Sequence, residues 1–194
     1  MDLIGEFTPR HAGERFEVRI EFDPFMGAPW DEHDGHGPVR ELGRREDKRP
    51  GERPLTDLCD SRSARLVYDV AEAQRIALRD GWGTADGRRP GETARAYAAR
   101  AVAADFAYCR GWATDEWCWA CVIVTDRSGA HESLGGVEYG LPGDYHREVA
   151  TELAGELIAQ RRSDLRCALA AARARHARIR AAWAGWMTPT GSAA

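Results

Sequence analysis

The sequence lacks any apolar run that approaches the roughly 20 residues a membrane-spanning helix needs. Its opening segment, "MDLIGEFTPR", also lacks the basic and apolar regions of a secretory signal peptide. The five cysteines are an odd set without framework spacing, whereas disulfide-stapled domains usually carry even sets. Together these absences predict a cytoplasmic protein whose thiols stay reduced.

The chain also lacks the strong positive charge of a general nucleic-acid-binding domain. Its 27 Lys and Arg residues are outnumbered by 31 Asp and Glu residues, which gives a net charge of −4. Motifs for serine nucleophiles, phosphate loops and nucleotide binding are absent as well, so we assign no catalytic residue and expect no cofactor. With 194 residues, 43% of them hydrophobic, the chain is long enough to bury a core without disulfides.

Hydrophobic periodicity predicts an α+β fold. "RFEVRIEF" alternates apolar and charged residues, which is the period of a strand with one buried face, and Phe22 shares that face. Helical patterns follow over roughly 69–81, with Asp69 as the N-cap and Gly81 at the end, and over 92–110. The strands "EWCWACVIVT", as a central strand, and "HESLGGVEYG" are predicted to pair as a hairpin. Two more helices are predicted, one from about residue 144 and one over about 163–186.

This order of elements predicts a three- to four-stranded, mainly antiparallel sheet with packed helices and a long arginine-rich C-terminal helix. Residues 1–160 are predicted to form the α+β body, with a long irregular loop at 23–62 that is rich in proline, glycine and charge. Residues 161–187 are predicted to form the arginine-rich amphipathic helix, and residues 188–194 a disordered tail.

Within the long loop, "WDEHDGHG" is the stretch that most resembles a catalytic or metal site. Asp31, His33, Asp34 and His36 are ligand types that suit a divalent metal. Their spacing favours a structured polar loop instead, because the glycines prevent a helix from presenting both histidines on one face, and Asp and Gly build tight turns. We keep these four residues as weaker metal candidates. We also predict that the reactive-looking groups of the chain do not gather around one point.

Cysteines and tryptophans give two further predictions. Cys118 and Cys121 of "CWAC" fall inside the predicted central strand, where residues three apart point to opposite faces. Core cysteines are therefore favoured over a redox or zinc pair. Trp30 and Trp82 lie beside glycines or in loops, where an aromatic residue either covers the core or anchors an interface, and we predict both as interaction residues.

The final helix has the most regular apolar pattern in the chain. Its seam residues alternate in spacing between four and three over three heptads: Leu165, Leu169, Ala172, His176, Ile179, Trp183 and Trp186. Between Arg161 and Trp186 there are seven arginines and one aspartate, a local charge of +6 that leaves −10 on the rest of the chain. We expect this helix to dock on the protein's own body and to leave its arginines as a contact surface.

The arginines at heptad positions e and g define that contact surface. Two copies of the helix would set arginine against arginine or alanine, so self-pairing is disfavoured and an acidic partner is favoured. The predicted interaction residues are Arg166, Arg173, Arg175 and Arg180. Nucleic-acid binding is an alternative that would also use Arg161, Arg162 and Arg178, although the acidic body would repel a duplex.

Several stretches occur together and in a fixed order: "DPFMGAPWDEHDGHGPV", "RPGER", "YDVAEAQRIALRDGWG", "DEWCWACVIV" and "LPGDYHREVATELAGEL". In this combination the chain resembles a family of small, uncharacterised bacteriophage and prophage proteins. The resemblance covers roughly residues 16–157 and leaves out the arginine-rich helix. It implies a phage or prophage setting, and it transfers no catalytic residue to this chain.

The leading hypothesis is a phage-encoded, non-enzymatic accessory protein. It would bind and inhibit a host protein or ribonucleoprotein, with a component of an anti-phage defence system such as CRISPR-Cas as the expected target. The alternatives are a metal-dependent hydrolase or nuclease that uses residues 31–36, and nucleic-acid binding through the basic helix. No membrane partner is expected, and the oligomeric state stays open.

Overall fold

The computed structural model describes residues 2–60 and 64–187. None of the helices in these ranges combines the length and the apolarity that crossing a membrane requires. The elements in chain order are β1 (Leu3–Phe7), β2 (Arg10–His11), β3 (Glu14–Arg15), β4 (Glu17–Phe22), α1 (Pro29–Glu32), β5 (Val39–Glu41), β6 (Glu52–Pro54), β7 (Leu66–Asp69), α2 (Val70–Asp80), α3 (Ala94–Ala113), β8 (Cys118–Thr125), β9 (His131–Tyr139) and α4 (Tyr145–Met187).

The largest sheet has four antiparallel strands in the order β1–β4–β8–β9. The predicted α+β fold is therefore confirmed, and so is the hairpin of β8 and β9. Ile20 lies opposite Val122 in the register of β4 and β8, and both are buried. Phe22 differs from the prediction, since it is 42% exposed at the last position of β4 while the acidic residues on either side of it are buried.

The first half of α4 covers one face of this sheet. Val149, Leu153 and Leu157 recur every four residues, so they lie along one stripe of the helix. They pack in one hydrophobic cluster with Val18, Ile20 and other buried residues of β4, β8 and β9. This burial holds the first half of α4 on the sheet.

A second hydrophobic cluster lies beneath α2 and α3. It contains Tyr68 of β7, Leu55, and buried residues of both helices such as Phe106. The predicted ends of α2 are confirmed, because the Asp69 side chain accepts a hydrogen bond from the backbone of Glu72 and Gly81 has a positive φ of 71°. Tyr68 and Cys109 carry polar groups and belong to this cluster, so the cluster supports those groups from the buried side.

The connection predicted as one irregular loop over 23–62 contains three regular elements, α1, β5 and β6. β5 and β6 flank β7 in a three-stranded antiparallel sheet. Arg40 of β5 forms a bidentate ion pair with the buried Glu52 of β6, with Nε 2.7 Å from Oε1 and Nη2 3.0 Å from Oε2. These strands are too short to show a period, and the ion pair that joins them is a long-range contact, so hydrophobic patterning could not reveal them.

The two C-terminal helices of the prediction are a single helix, α4, of 43 residues. The segment that joins them, "LIAQRRSDLR", has no proline or glycine and consists mostly of good helix formers, so nothing interrupts it. Among the described residues of α4, Arg161 is the last to form an ion pair with the body, and it does so with Glu14 and, at 3.6 Å, with Asp126. We call residues 162–187 the C-terminal arm. The tail predicted at 188–194 lies outside the described residues.

Candidate functional site

The C-terminal arm exposes its apolar seam. Leu165, Leu169 and Ile179 are 64%, 51% and 51% exposed, and Trp183 and Trp186 reach 71% and 94%. The expectation that this helix docks on the protein's own body is therefore wrong. The physical reason is that α4 passes Arg161 without a break, so no turn folds the arm back onto the body.

The predicted interaction arginines lie on the same exposed arm. Arg166, Arg173, Arg175 and Arg180 are all exposed, and none of them forms an ion pair with another described residue. Their charges are thus not neutralised within the described part of the chain. The arm combines an uncovered apolar seam with uncompensated positive charge.

The two tryptophans predicted as interaction residues lie elsewhere and are half-buried. Trp30 meets Trp112 edge-on, with ring centroids 5.3 Å apart. Both Trp30 and Trp82 pack against the second hydrophobic cluster. Trp82 is also one of the residues that line a cleft.

This cleft has a volume of about 680 Å³ and lies between the Gly35–His36 turn, the segment after α2, and α3. We call it the acidic cleft, because Asp105 and Glu138 line it and none of the described residues that line it is lysine or arginine. Its other prominent side chains are His33, His36, Trp82 and Tyr108. The predicted loop "WDEHDGHG" therefore borders a cavity.

Asp105 of α3 is the centre of a polar cluster at the cleft wall. One carboxylate oxygen, Oδ1, lies 2.5 Å from Nδ1 of His36. The other, Oδ2, accepts hydrogen bonds from the Gly37 amide at 2.8 Å and from the Tyr68 hydroxyl at 2.5 Å. The Cys109 thiol lies 3.7 Å from Oδ1 and 3.8 Å from Nδ1 of His36. The carboxylate thus ties the histidine loop to β7 and α3.

The electrostatics of the cluster favour an ionised Asp105 beside a neutral Cys109. Burial raises the pKa of the Asp105 carboxyl, but hydrogen bonds from His36, Tyr68 and Gly37 outweigh it and leave that pKa below its usual value. Burial, reinforced by the Asp105 charge, raises the pKa of the Cys109 thiol. Cys109 is therefore a thiol at neutral pH, which argues against a cysteine nucleophile in this cluster.

The imidazole of His36 is fixed in orientation. Tyr108 stacks on it with ring centroids 5.4 Å apart and an interplanar angle of 6°. The Tyr108 hydroxyl donates in turn to Glu138 at 2.6 Å. Nε2 of His36 has no hydrogen-bond partner among the described residues, and it is not among their buried unpaired atoms, so it is open to solvent.

Of the four metal candidates in "WDEHDGHG", only His36 joins this cluster. Asp31, His33 and Asp34 are exposed, and His33 packs edge-on against Trp119 at 5.6 Å. The expectation that no reactive groups converge is wrong, because His36, Asp105 and Cys109 each offer a ligand atom within 4.8 Å of the others. Cys118 and Cys121 stay free and half-buried in β8, and neither belongs to that group.

Asp105 and Cys109 were missing from the sequence-based candidates. A signal for them is present in the helix pattern, since Asp105 interrupts the apolar stripe formed by Ala98, Val102 and Cys109. A carboxylate at such a position needs partners, because an unpaired buried charge is costly. Two of these partners, Tyr68 and His36, lie 37 and 69 positions from Asp105 in the chain. A local sequence pattern cannot show contacts over such separations.

No family model, curated protein or solved structure matches this chain.

Proposed function

We propose that the protein is a binding protein whose C-terminal arm pairs with an acidic amphipathic helix of another protein. The observation that carries this proposal is the exposure of the arm's apolar seam, with Trp183 and Trp186 at 71% and 94%. Large exposed apolar surfaces on a globular protein mark interaction sites, since each such side chain gains free energy when a partner covers it.

The heptad pattern identifies the shape of the partner. Apolar residues spaced alternately four and three apart fit into a second helix with the same spacing. Arg166, Arg173 and Arg180 occupy position e and Arg175 occupies position g, directly beside the seam. In a coiled coil these positions face positions e and g of the partner, so a partner with glutamate there is favoured in either orientation.

The arm is suited to such pairing because it is already helical before binding. Nine alanines lie between Ala168 and Ala184, and alanine has the highest helix propensity. A preformed helix loses little conformational entropy on association. Each leucine, isoleucine or tryptophan that becomes fully buried contributes about 1.5–3 kcal/mol. Five such residues can offset much of an association cost of about 4–15 kcal/mol.

Two other occupants fit the arm less well. A second copy would place Arg175 against Arg180 in a parallel pair, or position e arginines against one another in an antiparallel pair. A nucleic acid would satisfy the arginines, but it would leave the leucine and isoleucine seam in water, and the charge of −10 on the rest of the chain would repel it.

A designed peptide tests the proposal without knowledge of the natural partner. The probe has four heptads with leucine at positions a and d, glutamate at e and g, and neutral residues elsewhere. Calorimetric titration into the full-length chain should give one peptide per chain with a Kd in the micromolar range or below, on the order of −8 kcal/mol. Binding should weaken as NaCl rises from about 50 mM to about 500 mM, because salt screens the charge pairs.

The matched controls distinguish binding through the seam from nonspecific binding. The double variant Leu169→Gln, Ile179→Gln should bind the peptide at least about tenfold more weakly, since it removes two seam contacts while keeping good to moderate helix formers. The same peptide with lysine at e and g should not bind the wild-type chain. Equal binding of both peptides, a stable homodimer in sedimentation equilibrium, or tighter binding to duplex DNA would overturn the proposal.

The resemblance to phage proteins supports a bacterial host as the source of the natural partner. On that basis we propose that the arm captures an acidic helical segment of a host defence component, such as a CRISPR-Cas subunit, and blocks the contact that this segment normally makes. Competition by the acidic peptide should then release the host protein from the arm.

A further inference from the structure

The cluster at the wall of the acidic cleft contains three different metal-binding side chains. His36 supplies a ring nitrogen from a loop, and Asp105 and Cys109 supply oxygen and sulfur from positions i and i+4 of α3. Residues four apart on a helix lie on the same face, so α3 presents both donors in one direction. The partner-binding function of the arm does not depend on this cluster.

The distances within the cluster are close to those of a tetrahedral zinc site. Zinc binds nitrogen and oxygen at about 2.0–2.2 Å and sulfur at about 2.3 Å, which separates a sulfur from a nitrogen or oxygen ligand by about 3.6 Å. The Cys109 sulfur lies 3.8 Å from His36 Nδ1 and 3.7 Å from Asp105 Oδ1. The separation of Nδ1 and Oδ1 is 2.5 Å, which is a hydrogen-bond distance. It must lengthen to about 3.3 Å for both atoms to bind the same tetrahedral ion.

We propose that His36, Asp105 and Cys109 form a binding site for Zn²⁺, in which the ion takes the place of the proton shared by His36 and Asp105. A mixed set of imidazole, carboxylate and thiolate donors suits zinc better than magnesium or calcium, which prefer oxygen ligands alone. Coordination releases the Cys109 thiol proton to solvent and leaves the imidazole of His36 with its one remaining proton on Nε2, which is open to solvent.

The surroundings of Asp105 support this assignment. Its second oxygen, Oδ2, is held by the Gly37 amide and the Tyr68 hydroxyl, so Oδ1 is left to face His36 and Cys109. Hydrogen bonds of this kind orient metal-binding carboxylates in known sites. Three protein ligands leave a fourth position on the ion. Because His36 and Asp105 also line the acidic cleft, we expect water or a small ligand from the cleft to fill that position.

The test uses the full-length chain stripped with EDTA and then titrated with Zn²⁺ or Co²⁺ alone. We expect one Zn²⁺ per chain, a higher melting temperature with the ion, and a thiolate-to-cobalt charge-transfer band with Co²⁺. Cys109→Ser should abolish that band and weaken zinc binding by about a hundredfold or more. Cys121→Ser is the matched control, since Cys121 is a half-buried cysteine outside the cluster, and it should keep the band.

His36→Ala provides a second variant that retains the buried thiol, in case Cys109→Ser does not fold. It should lose zinc affinity by a similar factor while its far-ultraviolet circular dichroism matches that of the wild type. The assignment is overturned if the wild type shows no charge-transfer band, or if the stripped chain binds less than one equivalent of added zinc. It is also overturned if folded Cys109→Ser or His36→Ala binds zinc as tightly as the wild type.

Discussion

Replacement of Asp105 by alanine is expected to lower the free energy of unfolding by about 3–5 kcal/mol, measured by urea denaturation in the presence of EDTA. The substitution removes the acceptor of three hydrogen bonds, from His36, Gly37 and Tyr68. Tyr68 is fully buried, so its hydroxyl cannot turn to water instead. Typical domains are stable by only about 5–15 kcal/mol, and a loss of this size would be a large part of the total.

Asp34→Ala is the matched control for this prediction. Asp34 lies in the same "WDEHDGHG" loop, but it is exposed. Its loss should therefore change the free energy of unfolding by no more than about 0.5 kcal/mol. If Asp34→Ala destabilised the protein as much as Asp105→Ala, the carboxylate at the cleft wall would not be the element that holds the loop.

The contribution of Asp105 should also depend on pH in a defined direction. Hydrogen bonds from His36, Tyr68 and Gly37 hold its pKa in the folded protein below the usual value of an aspartate. Its stabilising effect is therefore fully present above about pH 5 and is lost as the pH falls through the unfolded value and then the folded one. The difference in unfolding free energy between the wild type and Asp105→Asn should shrink below about pH 4. A difference that grew on acidification would contradict an ionised, hydrogen-bonded Asp105.

Gly37→Ala is expected to destabilise the protein by about 3 kcal/mol. A Cβ atom at residue 37 would lie 2.2 Å from the hydroxyl oxygen of Tyr68 and 2.8 Å from Cβ of Ala73. Both neighbours are fully buried, so neither can move aside without a shift of β7 or α2. The hydrogen bond from Gly37 to Asp105 would be displaced by the same shift.

Gly43→Ala controls for the general cost of removing a glycine from this connection. A Cβ atom at residue 43 would meet Glu46 at 3.6 Å, which is ordinary van der Waals contact, and the backbone there needs no positive φ. We expect a change within about 0.5 kcal/mol in urea denaturation. Similar losses for both variants would show that close packing at residue 37 is not the cause.

The fold was largely predictable because its main elements carry local signals. The alternation of β4 and the capping residues of α2 both appear directly in the sequence, and both lead to the observed elements. β5 and β6 were missed, since strands of three residues are too short to show a period. Both strands pair with β7, and Arg40 of β5 forms an ion pair with Glu52 of β6, and these are contacts between distant positions.

The polar cluster was only partly predictable for the same physical reason. His36 lies in a conspicuous motif, whereas Asp105 and Cys109 lie within a helix whose sequence pattern predicts only packing on the core. Their convergence results from the packing of a loop on α3, which is a tertiary contact. The apolar seam of the arm, in contrast, follows from spacing alone. Whether the rest of the protein covers that seam depends on the direction in which the helix leaves the sheet, and residue spacing does not determine that direction.

A charge-swap titration tests most directly the central claim that the arm selects an acidic helical partner. The double variant Arg173→Glu, Arg180→Glu places two acids at position e, and Arg178→Glu places one at position c, which points away from the seam. We predict that the double variant binds the glutamate peptide about tenfold or more weakly than the wild type does, and that it now binds the lysine peptide. Arg178→Glu should keep the wild-type preference for the glutamate peptide. Unchanged preference in the double variant, or an equal loss with Arg178→Glu, would contradict the claim.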